Sequence, residues 1–151
     1  MYLAILTVHS WVRWGALLLG IVATGAAVTD RPGAPAGRAD RWGLFLMITL
    51  DVQMLLGLLL YLVLSPFTRL AFADFGAAMR DPALRYWAVE HISTMILAVI
   101  VVHVTRVAAR AAATPSGRRT RQILGFGVAT ILMLVGTPWA GLPNGRPLFR
   151  I

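Results

Sequence analysis

Two histidines, His9 and His91, lie in apolar segments long enough to cross a membrane, where an imidazole needs a partner or a purpose. At 1.5 Å of rise per residue, His9 lies roughly 9 Å from the start of its segment, and His91 roughly 13 Å from a helix start at Pro82. Because both segments are predicted to enter from the same side, the two imidazoles should reach similar depths. One histidine from each of two facing helices can hold a single iron porphyrin from its two faces. This spacing predicts one haem with two histidine ligands.

Two arginines are candidates for pairing with the haem propionates. Arg13 follows His9 by four residues and therefore lies on the same helix face. Arg85 lies six residues before His91, toward the outer surface, although that offset turns it well round the helix. A guanidinium can bind a carboxylate through two parallel hydrogen bonds. An arginine inside a span needs such a partner, which favours Arg13.

Other uses of these histidines are open at this stage. They could form hydrogen bonds across the bundle or face the lipid head groups. A zinc or copper site is less favoured because third and fourth ligands are missing: Glu90, the one carboxylate nearby, points about 100° away from His91. The chain has no cysteine, which excludes disulfides, thiolate metal sites and covalent haem attachment.

A second polar group is predicted closer to the cytoplasmic boundary. His103 lies about 18 Å deeper than His91 and about 120° around the helix, and no further histidine is available to pair with it across a second haem. Asp51 and Gln53 in the second span should lie at comparable depth. A hydrogen bond from Asp51 to His103 could belong to a proton path or a quinone pocket, or could simply hold two helices together. Glu90 is a candidate for handling protons near the outer surface.

The elements that position these residues are membrane-spanning helices. Of the 151 residues, 58% are hydrophobic and 13% charged, against roughly 25% charged in soluble domains. Spans of about 20 apolar residues are expected over 3–28, 43–64, 86–107 and 123–139. We therefore predict an all-α fold, a single transmembrane four-helix bundle over 1–151. A short helix in the membrane interface is expected near Phe67 to Phe75, and Asp81 followed by Pro82 is typical of a helix start.

The net charge of +8 comes from arginine, since the chain has no lysine. Arginines concentrate in two of the three predicted loops, at Arg31, Arg38, Arg41, Arg106, Arg110, Arg118, Arg119 and Arg121. By the positive-inside rule these loops are cytoplasmic, which puts the N-terminus and the C-terminus both on the periplasmic side. The basic charge thus indicates topology in a multi-pass protein of the bacterial inner membrane. It does not indicate nucleic-acid binding.

Four stretches of the chain resemble a known family: HSWVRW, LDVQMLLGLLLYLVLSP, RYWAVEHISTMILAVIVVHVTR and the closing GTPW. They are similar to small bacterial four-helix membrane proteins described as b-type cytochromes or cytochrome-b-like. The most specific elements are Val89 to His91 and His9 to Trp14. The resemblance implies haem b ligation by His9 and His91. The chain departs from two-haem transmembrane cytochromes because it has only three histidines.

Together these features favour an electron-transfer protein over a stand-alone enzyme. One haem near the periplasmic face would exchange electrons between a quinol in the bilayer and an external partner. The alternative is a small accessory or structural subunit, with or without haem, of a larger respiratory or photosynthetic complex. A homo-oligomer fits either hypothesis.

Overall fold

The computed structural model describes residues 1–31, 37–147 and 149, and every regular element in these ranges is helical. The elements in chain order are α1 (Tyr2–Thr29), α2 (Arg38–Leu59), α3 (Pro66–Ala73), α4 (Phe75–Ala78), α5 (Pro82–Arg85), α6 (His91–Arg110) and α7 (Pro115–Gly136). Residues 32–36, within the loop predicted between the first two spans, lie outside the described residues. The prediction of an all-helical fold is confirmed for the described part of the chain.

Three of the helices begin in the same way, with a capping side chain followed by proline. The side chains of Ser65, Asp81 and Thr114 each accept a hydrogen bond from a backbone N–H of the first turn. Proline follows at the first helical position, where its missing N–H costs nothing because that N–H has no partner within the helix. The helix start predicted at Asp81 and Pro82 is therefore confirmed.

Four long helices surround a common core. Helix α1 packs between α2 and α7, and α6 packs between the same two neighbours on the opposite side. The centre is filled by side chains from all four of these helices, and the largest fully buried ones are Leu46 of α2, Val102 of α6 and Phe126 of α7. This arrangement turns one face of every long helix inward. The opposite faces carry large exposed apolar side chains such as Leu55, Val107 and Val135.

Within the described part of the chain, three helical segments are long and apolar enough to cross a membrane: Tyr2–Thr29, Arg38–Leu64 and Pro82–Arg110. The fourth predicted span differs from expectation at both ends. Helix α7 begins eight residues before position 123, and its early turns carry Arg118, Arg119 and Arg121, which shorten its apolar part. It ends at Gly136 instead of Trp139, because Thr137 takes an extended backbone conformation (ψ 131°) and proline follows.

Two π-helical turns interrupt the long helices at one end of the bundle. One continues α2 over Leu60–Leu64, and the other, Tyr86–Glu90, joins α5 to α6 immediately before His91. The Tyr61 hydroxyl donates to the Ala88 carbonyl across a distance of 2.7 Å and so connects the two turns. Such turns occur frequently at functional sites.

The short helix predicted near Phe67 to Phe75 is present between these turns as α3. In α3, Thr68 and Ala71 are buried whereas Leu70 and Phe72 are exposed. The Thr68 hydroxyl donates to the Tyr61 carbonyl at 2.7 Å, which fixes α3 across the end of the bundle. The same end is therefore closed by α3 and by the π-helical turns, and it is here that the predicted histidines lie.

Candidate functional site

A cavity of about 130 Å³ lies between α1, α2 and α6. The residues around it come from these three helices, from the π-helical turns and from the C-terminal segment that follows α7. Its polar lining includes His9, Arg13, Gln53, Tyr61, His91 and Arg146. The structure thus brings the two predicted histidines to the wall of a single cavity. Both lie at the same end of the bundle, His9 near the start of α1 and His91 at the start of α6.

His91 is held by the end of α7. Its Nδ1 lies 2.8 Å from the Gly136 carbonyl oxygen, and the Tyr86 hydroxyl donates to the same oxygen at 2.9 Å. This carbonyl is available because the last carbonyls of a helix have no partner within it. Since a carbonyl can only accept, Nδ1 carries the hydrogen, and in the neutral ring the lone pair is on Nε2. The closing Gly-Thr-Pro-Trp sequence therefore selects the tautomer that a metal-binding histidine needs.

His9 is held differently. Its backbone carbonyl accepts a 3.0 Å hydrogen bond from Gln53 Nε2, which joins α1 to α2. Its Nδ1 and Gln53 Oε1 are both buried and have no hydrogen-bond partner among the described residues. A Cβ atom at Gly57 would lie 3.3 Å from His9 Cε1, so the glycine provides the room that the ring occupies.

Among the described residues, two arginines line the cavity, one predicted and one not. Arg13 lies in α1, one turn beyond His9, with its guanidinium carbon 5.0 Å from the centre of the Trp14 ring. Arg146 comes from the C-terminal segment, and its guanidinium carbon lies 4.8 Å from the ring of Phe67 and 4.9 Å from that of Trp87. These aromatic rings hold Arg146 in place at the cavity. No periodic pattern could reveal this contact, because the segment around Arg146 is irregular.

Arg85 and Glu90 do not line this cavity. Arg85 Nε donates to Glu90 Oε1 at 2.6 Å, and Arg85 Nη1 donates to the Met79 carbonyl at 3.3 Å. In a regular α-helix, residues five apart would point about 140° away from each other. The π-helical turn between Arg85 and His91 widens the helix and brings the two side chains together. Both side chains are about half exposed, so this is a surface ion pair.

Asp51 and His103 meet outside the cavity, between α2 and α6. His103 Nε2 lies 3.4 Å from Asp51 Oδ1, and the two side chains are 44% and 45% exposed. His103 Nδ1 donates to the Val99 carbonyl at 3.0 Å, so that Nε2 faces the carboxyl group. A hydrogen bond at this contact requires one proton, held either by Nε2 or by the carboxyl group. Gln53, which is predicted to lie at the same depth as this pair, contacts His9 instead.

We expect the contact between Asp51 and His103 to stabilise the packing of α2 against α6 modestly. A double-mutant cycle with Asp51→Ala and His103→Ala should give a coupling energy of about 0.6 kcal/mol and no more than about 1.7 kcal/mol, the range found for polar pairs in membrane helices. Reversible unfolding in detergent, followed by circular dichroism, measures it. A coupling energy indistinguishable from zero would show that the pair does not hold the helices together.

The described residues contain no group of three or more histidine, aspartate or glutamate side chains arranged to hold a metal ion. Comparison of the chain with family models, with curated proteins and with solved structures finds no match.

Proposed function

We propose that this protein is a membrane b-type cytochrome that binds one haem between His9 and His91 and transfers electrons. The observation that carries the proposal is that these two histidines, from α1 and α6, line one cavity inside a bundle of apolar helices. We further propose that α7 is a fourth span, that both termini are periplasmic, and that the chain belongs to the four-helix cytochrome family it resembles. The membrane would be the bacterial inner membrane.

The residues around the cavity suit a haem in three respects. His91 presents Nε2 with its lone pair, because Nδ1 donates to Gly136. His9 Nδ1 is a buried nitrogen without a hydrogen-bond partner among the described residues, which leaves this imidazole available to a ligand. Arg13 and Arg146 supply two cations for two propionates. The cavity is smaller than a porphyrin, so lining side chains must move on binding, and the flexible Met54 and Met95 are among them.

The protein's part in the chemistry is to fix the ligands and the surroundings. When bound, haem supplies a one-electron couple whose potential depends on its axial ligands and its burial. His9 and His91 would hold the haem from its two sides, and the chemistry that it would then supply is electron transfer. Gly136 holds one imidazole in place, and Arg13 and Arg146 add positive charge that favours the reduced state.

The electron donor we propose is a quinol from the bilayer, and the acceptor is a partner outside it. The cavity lies near one end of the bundle, beside α3 and the C-terminal segment, which suits exchange with an external partner. Asp51 directly follows Leu50, which lines the cavity. His103 donates a hydrogen bond to the carbonyl of Val99, which also lines the cavity. Both side chains can take up and release a proton, so we propose this pair as the place for exchanging a proton with the quinol.

The accessory-subunit hypothesis remains the second candidate, favoured by the many large apolar side chains on the outside of the bundle. Leu55, Val107 and Val135 are each about 70% exposed and could face either lipid or neighbouring subunits. The test is the reduced-minus-oxidised visible spectrum of the protein purified in mild detergent. Sharp α and Soret bands from a small, stable particle support the cytochrome. A folded but colourless protein, recovered only with a large complex, supports the subunit.

We predict that Arg146 contributes to haem retention and that Arg85 does not. Arg146→Gln should accelerate haem loss about tenfold, because a charge-assisted hydrogen bond to a propionate is lost. Arg85→Gln should leave haem loss unchanged, since Arg85 pairs with Glu90 outside the cavity. Transfer of haem to apomyoglobin in excess measures both rates. Equal rates for the two variants would remove Arg146 from the site.

A further inference from the structure

A second cavity, of about 330 Å³, lies at the opposite end of the bundle from the histidines. Its walls come from the residues after α1, from the end of α6 and from the first turns of α7. Its charged lining residues are one aspartate and four arginines: Asp30, Arg31, Arg110, Arg118 and Arg119. We call this cavity the arginine pocket. Four guanidinium groups around one space repel each other unless an anion lies between them.

The carboxylates near the arginine pocket are already engaged. Asp30 accepts hydrogen bonds from Arg38 Nε and from the Ala39 backbone N–H, both at 2.9 Å. Asp40 forms an ion pair with Arg118 and accepts a 2.8 Å hydrogen bond from Gln122. Within the described ranges, no carboxylate lies within ion-pair distance of Arg31, Arg110 or Arg119. Three positive charges at the pocket are therefore not neutralised by the described residues.

Helix packing fixes the position of the pocket's innermost arginine. Arg119 Nε donates to the Ala27 carbonyl at 3.1 Å, and its Nη2 donates to the Val28 carbonyl. These are among the last carbonyls of α1, which have no partner within the helix. Arg119 thus joins α7 to α1 and presents its remaining N–H groups from a fixed position. Arg31 and Arg110 are exposed and can move toward a ligand from either side.

We infer that the arginine pocket binds the phosphate group of an anionic phospholipid. Guanidinium groups bind phosphate oxygens through paired hydrogen bonds, which accounts for the arginines. A lipid is the source that fits the location, because the pocket lies at the ends of two membrane-spanning helices. Val28 and Val107, which are 48% and 70% exposed, lie about one turn from it and offer apolar surface to acyl chains. Basic pockets between helices on the cytoplasmic side characteristically bind such head groups.

The test is lipid binding by the purified full-length protein in a neutral detergent. Phosphatidylglycerol should raise the temperature of thermal unfolding with a saturable dependence on lipid concentration, and phosphatidylcholine should not. Arg31→Gln with Arg110→Gln should weaken the apparent affinity about 100-fold, or about tenfold for each arginine removed. Native mass spectrometry should count one retained phosphatidylglycerol in the wild type and none in the double variant. If the double variant does not fold, the single variant Arg110→Gln tests the proposal, and its affinity for phosphatidylglycerol should be about tenfold weaker.

The matched control is Arg41→Gln, which removes an exposed arginine at the same end of the bundle but outside the pocket. It should bind phosphatidylglycerol like the wild type. An equal loss of affinity in Arg41→Gln would mean non-specific attraction and would overturn the proposal. Inorganic phosphate at the same concentration should not stabilise the protein. If it stabilises the protein as much as the lipid does, the ligand is a soluble phosphate and the lipid assignment fails. None of these outcomes depends on haem.

Discussion

His9→Ala and His91→Ala should each abolish the sharp α and Soret bands of the reduced protein. Loss of a group that only orients a metal ligand lowers metal affinity by about 10- to 100-fold, so loss of the ligand itself should lower haem affinity by at least about 100-fold. The two variants should be equally severe, because the proposed site has one histidine on each haem face. Visible spectra and a pyridine haemochrome assay of the purified variants measure the effect.

His103→Ala is the matched control for these variants. It removes the third histidine, which faces Asp51 on the outside of the bundle, and it leaves the cavity lining intact. We expect haem content within error of the wild type. Circular dichroism must show that all three variants are folded. A variant that lacks His9 or His91 but keeps a six-coordinate, low-spin spectrum would exclude bis-histidine ligation at this cavity.

The contacts that sequence reasoning predicted are those that depend on regular helix geometry. His9 and His91 were placed together from the rise of two helices alone, and Asp51 and His103 from their depth. Both inferences used only the rise along each helix. Helix rise does not tell which way a side chain points around the helix axis. The sequence therefore places Gln53 at the depth of Asp51, whereas in the structure Gln53 contacts His9.

The features that could not be predicted arise where the helices are irregular. The sequence makes Arg85 a candidate partner for a propionate. In the structure a π-helical turn follows Arg85 and brings its side chain to Glu90, with which it forms an ion pair. Arg146 lies in a segment whose sequence has no hydrophobic periodicity. Its guanidinium is held at the cavity by the rings of Phe67 and Trp87, which are distant from it in sequence.

Gly125→Ala should destabilise the bundle by about 1–3 kcal/mol, the usual cost of overpacking a close contact. A Cβ atom at Gly125 in α7 would overlap Thr105 of α6, lying 2.6 Å from its Cβ and from its Cγ2 and closer still to its hydroxyl. Thr105 cannot easily turn aside, because it is β-branched and its hydroxyl donates to the Val101 carbonyl at 2.6 Å. The helices α6 and α7 must therefore separate. Reversible unfolding in detergent, followed by circular dichroism, measures the change.

Gly25→Ala is the matched control, since it makes the same chemical change in another long helix. A Cβ atom at Gly25 meets nothing within 4 Å. Alanine there adds helix propensity without a clash, so the expected effect is neutral or stabilising by up to about 1 kcal/mol. Equal destabilisation by both substitutions would point to a general requirement for glycine. Selective destabilisation by Gly125→Ala would establish that the close contact between α6 and α7 at Thr105 stabilises the bundle.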